Sequence, residues 1–425
     1  MNANRTMRWS LGAALLLAAA PALAGFGDGI RIGGAEGRLH PFVELELRYD
    51  SNVAYFMDVP GTTSSTGDLI LHVRPGLQLS VPGDNVAVEL RAMLDWAQYM
   101  GTKDTRTKEL SKLYANASLG VGFNRKGQLG LEIDESYARS DQSNGYSIAA
   151  GVVSNYNKLT LGVPWRPGGG AMTATLSGDW TVESFDAFES ATYCSVAGNP
   201  YCNSANLSDL GYNNIGLAAG LNWKFLPKTS ALLDVSWFNR IPNSTLRSIG
   251  GTGLRAQAGV SGLITAHLAA TLKAGYGTTL DLKLDPAVGP APSSFRTWLA
   301  TAQVEWLPSD FSTLKATFNH DIGMDPGSTW ALYGVSHFSI DGKSKFNSVI
   351  SAALFLDFAM IDYQDASTTA SRVLTIRPSV QADLNRWLML ELAYQYTDRS
   401  TDLASPPPGW QYSRQEVWLR GVVTY

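Results

Sequence analysis

Phe42-Val43-Glu44-Leu45-Glu46-Leu47-Arg48-Tyr49-Asp50 is the stretch that decides the fold. Val43, Leu45, Leu47 and Tyr49 alternate with Glu44, Glu46 and Arg48. A period of two puts the two sets on opposite faces of an extended strand, where a helix would need a period near 3.6. The same pattern recurs downstream. Leu69, Leu71, Val73, Leu77, Leu79 and Val81 alternate with His72, Arg74, Gln78 and Ser80. Val86, Val88, Leu90, Ala92, Leu94 and Trp96 alternate with Ala87, Glu89, Arg91, Met93 and Asp95. No comparable helical stripe follows residue 24.

Read to the end, the alternation predicts strands near 42–50, 69–81, 86–98, 111–123, 128–139, 152–163, 171–184, 212–225 and 230–240. It continues near 254–264, 268–278, 295–307, 311–321, 330–340, 346–358, 372–384, 388–398 and 414–425. That is about 18 strands, with 16 left open because 152–163 and 330–340 alternate poorly. Short turn sequences such as Pro82-Gly83-Asp84-Asn85, Asn124-Arg125-Lys126-Gly127 and Asp341-Gly342-Lys343 follow every second strand. Longer polar stretches, among them Ser51–Asp68, Asp186–Gly211 and Thr279–Ser294, follow the others. Short turns on one rim and long loops on the other are the layout of an all-β, antiparallel outer-membrane β-barrel.

Composition agrees. The 425 residues carry 33 Lys+Arg against 37 Asp+Glu, and only 16% are charged. A mildly acidic chain makes nucleic acid a poor partner. With 45% apolar residues, intrinsic disorder is excluded too. Residues 1–24 read as a secretory signal peptide. Arg5 and Arg8 precede an apolar core at Leu11–Ala20, and Ala22-Leu23-Ala24 forms a small-x-small cleavage site. Residues 25–41 read as a short periplasmic lead-in, and 42–425 as the transmembrane barrel. Cys194 and Cys202 lie in a Ser/Asn/Gly-rich stretch, where an exported chain favours a disulfide stapling one loop.

Aromatic residues cluster at both ends of the apolar faces. Phe123, Trp165, Trp223, Phe225, Trp306 and Trp387 stand near short turns; Tyr49, Trp96, Trp180, Trp237, Tyr276 and Tyr396 stand near long loops. Two such girdles fit the two interfaces of a bilayer, so outer-membrane lipid is the expected surroundings of the apolar face. Val417, Leu419, Gly421, Val423 and Tyr425 alternate up to a final aromatic. This ending resembles the terminal-strand signal read by the barrel-assembly machinery, with Leu419, Val423 and Tyr425 as its candidate residues. The expected location is the outer membrane of a Gram-negative bacterium, after cleavage near Ala24.

An 18-strand barrel leaves an aqueous channel. The polar faces then predict a mixed pore lining. Arg74, Arg91, Lys224, Arg255, Lys273, Lys315, Arg377 and Arg420 are its cations. Glu89, Asp95, Glu132, Asp134, Asp179, Glu183, Asp234, Glu305, Asp357, Asp383 and Glu391 are its anions. Charges on adjacent strands, such as Arg74 beside Glu89 or Arg91, are expected to form pairs or a transverse field. The near balance argues against strong ion selectivity. Small residues, including Ser118, Gly120, Gly216, Ala218, Gly220 and Gly259, are expected to leave part of the wall smooth. No GxSxG, HExxH or P-loop occurs, and His320 beside Asn319 and Asp321 is read as structural. The expectation is a non-enzymatic protein with no cofactor and no metal.

Leu45-Glu46-Leu47-Arg48-Tyr49-Asp50-Ser51-Asn52-Val53 resembles the first strand of the putative β-barrel porin type 2 group, which often carries a Tyr-Asp-x-Asn-Val strand end. Arg74-Pro75-Gly76-Leu77 and Ser136-Tyr137 are similar in style. Some members of that group resemble the outer-membrane barrels of exopolysaccharide export in myxobacterial Wzx/Wzy-type systems. The resemblance implies a conduit for a secreted or surface polysaccharide, working beside a separate periplasmic polysaccharide-export protein. The alternatives are a diffusion porin for small solutes and a structural or adhesive surface barrel.

Overall fold

The computed structural model describes residues 29–32, 36–53, 55, 67–141, 152–186, 207–244, 249–283, 294–324, 332–364, 370–403 and 410–425. The expected leader at 1–24 and the Cys194–Cys202 pair lie outside the described residues. The strands are β1 (Ile30–Arg31), β2 (Arg38–Asp50), β3 (Asp68–Val81), β4 (Val86–Tyr99), β5 (Lys112–Phe123), β6 (Leu131–Ser140) and β7 (Val153–Trp165). They continue with β8 (Met172–Asp186), β9 (Tyr212–Leu226), β10 (Thr229–Pro242), β11 (Gly250–Thr265), β12 (Leu268–Lys283) and β13 (Arg296–Ser309). The last are β14 (Ser312–Met324), β15 (Leu332–Lys345), β16 (Ile350–Tyr363), β17 (Ala370–Asp383), β18 (Leu388–Thr401) and β19 (Tyr412–Thr424).

Each of β2 to β19 pairs antiparallel with the next, and β19 closes on β2 with Leu419 opposite Leu47 and Arg420 opposite Glu46. Closure leaves no sheet edge, which is what a lipid environment demands of a β-structure. β1 is a two-residue addition outside the ring, with Ile30 opposite Leu39. The eighteen ring strands settle the choice between 18 and 16. The poorly alternating segments become β7 and β15, held by ladders on both sides. The first ring strand begins at Arg38, so residues 38–41 of the expected lead-in are part of the wall.

One turn lies elsewhere than expected. Asp341, Gly342 and Lys343 stay in β15, opposite Lys315, Leu314 and Thr313 on one side and Phe355, Leu354 and Ala353 on the other. The chain reverses instead beyond Lys345, where the Asn347 Oδ1 accepts from the Val349 and Ile350 N–H groups at 2.8 and 2.7 Å. That side-chain bond supplies the turn chemistry locally, while Gly342 has partner strands on both sides.

The strands tilt. Successive register partners run Leu39, Leu79, Leu90, Leu119, Glu135, Leu159, Trp180, Ile215, Asn239, Thr252 and Leu280. This row starts at the short-turn rim on β2 and ends at the long-loop rim on β12. A soluble sandwich would bury its apolar faces. Here Val43, Leu45, Leu47, Leu94, Trp96, Leu176, Trp180, Leu217, Leu272, Leu392 and Leu419 are exposed on the outside. Glu44, Glu46, Asp50, Arg74 and Glu416 are buried on the inside. The aromatic residues of both girdles are on the outward face.

Candidate functional site

The site is the inner wall. All nineteen charged residues expected to line a pore stand on inward-facing positions. On β3 and β4 these are Arg74, Glu89, Arg91 and Asp95; on β6, β8 and β9 they are Glu132, Asp134, Asp179, Glu183 and Lys224. β10 to β14 contribute Asp234, Arg255, Lys273, Glu305 and Lys315. β16 to β19 contribute Asp357, Arg377, Asp383, Glu391 and Arg420.

The charges gather most densely where β19 meets β2. Arg74 donates to Glu46 at 2.8 Å and to Asp95 at 2.9 Å. His72 Nδ1 lies 2.8 Å from the second Asp95 oxygen. Arg48 bridges Glu46 at 2.5 Å and Glu416 at 3.0 Å. Arg414 holds Asp50 at 2.6 Å and Glu416 at 3.1 Å, and also donates to the Tyr55 hydroxyl at 2.5 Å. Burial pushes the Tyr55 phenol well above its ordinary pKa, so it stays protonated and neutral beside that guanidinium. Arg420 pairs with Glu391 at 2.5 Å and lies 3.7 Å from Glu44. Aromatic faces complete the wall, with Arg48 over Trp418 and Arg91 over Phe42. Glu46 and Asp50 are 1% and 0% exposed. Such burial is tolerable only for carboxylates with fixed cationic partners.

Two expectations change here. Arg74 does not pair with Glu89. Register puts Arg74 opposite Glu44, and Glu89 opposite Ser80. The richest members of the network, Glu44, Glu46, Arg48, Asp50, Arg414 and Glu416, were not among the expected lining residues. The alternation of the opening stretch already placed the first three on the polar face.

The opposite wall, β8 to β12, is built differently. Asp179 on β8 and Asp234 on β10 lie over glycines of β9. A Cβ at Gly216 would stand 2.3 Å from Asp179 Oδ1, and one at Gly220 would stand 3.3 Å from Asp234 Oδ1. Lys273 reaches across to Asp234 at 2.9 Å. Toward the short-turn rim Glu89, Lys224 and Lys315 are exposed. At the long-loop rim the inside also carries apolar clusters. Tyr333, Ala359, Ile361, Tyr363 and Trp410 pack together, as do Val53, Ile70, Ala97, Tyr99 and Leu110. The alternation gave no sign of these clusters, because their partners come from loops and from the ends of strands.

The His320 ring stacks on Trp298 at 3.9 Å, and its nitrogens meet Thr297 and Ser336. The Asp321 carboxylate is taken by Arg255 at 2.8 Å.

A family model described as putative beta-barrel porin 2 matches residues 28–423. A comparison with curated proteins gives no match. Among solved structures, the chain is similar to the outer membrane protein opdK from Pseudomonas aeruginosa (10% identity, TM-score 0.43, covering 91% of this chain and 98% of that one). It is also similar to OccK9 (OpdG) from Pseudomonas aeruginosa (10% identity, TM-score 0.47, covering 92% and 98%). A third is the outer membrane channel DcaP of Acinetobacter baumannii (13% identity, TM-score 0.41, covering 93% and 99%).

Proposed function

The chain belongs to the putative beta-barrel porin 2 family, and from that premise we propose that this outer-membrane barrel is a non-enzymatic diffusion porin for small polar solutes. The observation that carries the reading is the sorting of the wall: apolar outside, charged and hydrogen-bonding inside, around a closed ring too wide for side chains alone to fill. The paired charges along the seam present alternating sign, not one dominant field, which suits passage of polar solutes with weak ion preference. Expected contributions from a cleaved leader at 1–24 and from a Cys194–Cys202 staple belong to the same proposal.

The export of a polysaccharide remains the second reading, resting on the resemblance carried by Leu45–Val53, Arg74–Leu77 and Ser136-Tyr137; the family description is that of a porin and adds nothing to it. Planar-bilayer recording separates the two. A diffusion porin gives large, stable, ohmic steps. An export conduit isolated from its periplasmic partner gives a closed or barely conducting barrel, and that result would overturn the porin reading. In the same assay Arg91→Glu with Arg377→Glu should shift the reversal potential toward cations. No shift would remove both residues from the lining.

A further inference from the structure

Glu135 is out of place. It follows Ile133 and precedes Tyr137 on the outward face of β6, beside Leu119 on β5 and Leu159 on β7. In the climbing row of register partners it is the fifth of eleven, with Leu39 at the inner rim and Leu280 at the outer. Each step across a strand tilted by about 40° gains roughly 3 Å, so Glu135 sits roughly 12 Å above the inner rim, in the middle of an apolar band about 25 Å tall. It is exposed. Among the described residues its one hydrogen bond comes from Asn157 Nδ2 at 3.4 Å. A carboxylate facing hydrocarbon at that depth is costly, and irregular polar groups persist there only where protein covers them.

Its surroundings extend the anomaly upward. Tyr137, Arg139, Asn155 and Asn157 share the outward face of β6 and β7, above Glu135. Arg139 donates to Asn155 at 2.8 Å and pairs with Asp186. Elsewhere on the outside of the described strands, Gln98, Asn239, Asp362 and Asp398 stand near the long-loop ends, and Thr229, Ser312 and Ser344 near the short-turn ends. Beside the patch, on β7 to β10, lies an apolar recess lined by Val163, Leu176, Ala219, Leu221 and Val235.

We propose that this outward face of β6 and β7, with the adjoining recess, is the interface with a second copy of this chain, forming a two-fold dimer in the membrane. The occupant follows from the chemistry of the patch. It must be a membrane-spanning surface offering donors at the depth of Glu135 and acceptors near Arg139. The patch itself offers both, since Tyr137, Asn155 and Asn157 donate and the asparagine carbonyls and Glu135 accept. A two-fold axis along the membrane normal brings like depths together, so Tyr137 and Asn157 of one copy stand just above Glu135 of the other, within reach of their side chains. Such an interface is self-complementary. A bilayer gives the apolar wall no reason to associate on its own, so polar contacts at depth are what select the face.

The test uses the full-length chain with Cys194 and Cys202 replaced by serine. Tyr137→Cys, oxidised in native outer membranes, should give a band of twice the mass that disappears on reduction. Leu272→Cys, exposed on β12 across the barrel, should give none. Folding of both is verified by heat-modifiable migration. Glu135→Leu supplies the second reading. If the face is a dimer interface, this variant loses the cross-link and shifts detergent-solubilised protein from dimer to monomer mass. A barrel that becomes more resistant to urea on Glu135→Leu, with no dimer in either form, would place Glu135 against lipid and overturn the proposal. A Tyr137→Cys adduct of any mass other than twice the chain would overturn it in favour of a different protein.

Discussion

The two sides of this barrel solve the same problem in different ways. Both must keep charged groups on an inner wall. The seam wall, from β18 through β19 to β4, answers most of its charges with an opposite charge and lets both be buried. Glu46, Asp50 and Glu416 are almost without solvent, and each touches at least one guanidinium. The far wall, β8 to β12, answers a charge with absence. Asp179 and Asp234 lie down over Gly216 and Gly220, and Asp234 keeps 44% of its side chain in solvent. The seam is where the first and last ring strands must find each other after the whole chain has folded. Specific ion pairs such as Arg414 with Asp50 and Arg48 with Glu416 join strands separated by more than 360 positions. In the native register Glu416 lies opposite Asp50, and the diagonal reach of Arg414 to both and of Arg48 to Glu416 is what makes that juxtaposition of like charges tolerable.

The largest effect that separates the walls is expected from Arg74→Leu. It strips Glu46 and Asp95 of their shared cation in a dry setting. Leaving a buried carboxylate short of its partner costs about 3–5 kcal/mol. The urea midpoint of the barrel in lipid vesicles should fall accordingly, and assembly should slow. An unchanged midpoint would mean that water reaches this network, and the contrast between the walls would collapse.

A smaller effect is expected where the far wall depends on missing side chains. A Cβ at Gly275 would stand 1.9 Å from the Ala256 carbonyl oxygen, so Gly275→Ala forces backbone to move. Overpacking of that kind costs about 1–3 kcal/mol. At Gly216 the obstacle is the tip of Asp179, which can swing away, so Gly216→Ala should cost less than Gly275→Ala. Equal losses in the same urea titration would show that Asp179 is pinned and not merely resting on the glycine.

Much of this was legible in the sequence. Strict alternation gave both faces, because lipid enforces one side of every strand and water the other. The aromatic girdles were legible for the same reason. Which charges meet was not legible. Pairing depends on register: the register of β3 on β2 sends Arg74 to Glu46, and that of β3 on β4 sends it to Asp95 and leaves Glu89 beside Ser80. The turn beyond Lys345 was missed because Asp341-Gly342-Lys343 has turn composition, while the decisive cap comes from the single side chain of Asn347. The apolar clusters inside the outer rim were invisible to a period-two reading. They assemble residues such as Val53, Leu110 and Trp410 that belong to no alternating run.

The smallest effect on stability, and the most informative for conduction, is expected from Lys273→Ala. The Lys273 side chain is 3% exposed, but its partner Asp234 is half in water at 44%. Solvent screens such a pair, and its contribution is less than about 1 kcal/mol. The barrel should therefore unfold at nearly the same urea concentration. Its electrostatics should still change. Without the ammonium at 2.9 Å, Asp234 presents an uncompensated negative charge to the inside, on the wall where neighbouring Gly220 leaves it room to turn inward. The reversal potential in a salt gradient should move toward cation preference, and Lys273→Ala with Asp234→Asn should restore it. If the single change instead lowers stability as far as Arg74→Leu, the far wall is as dry as the seam, and the charges of both walls hold the barrel shut before they shape what passes through it.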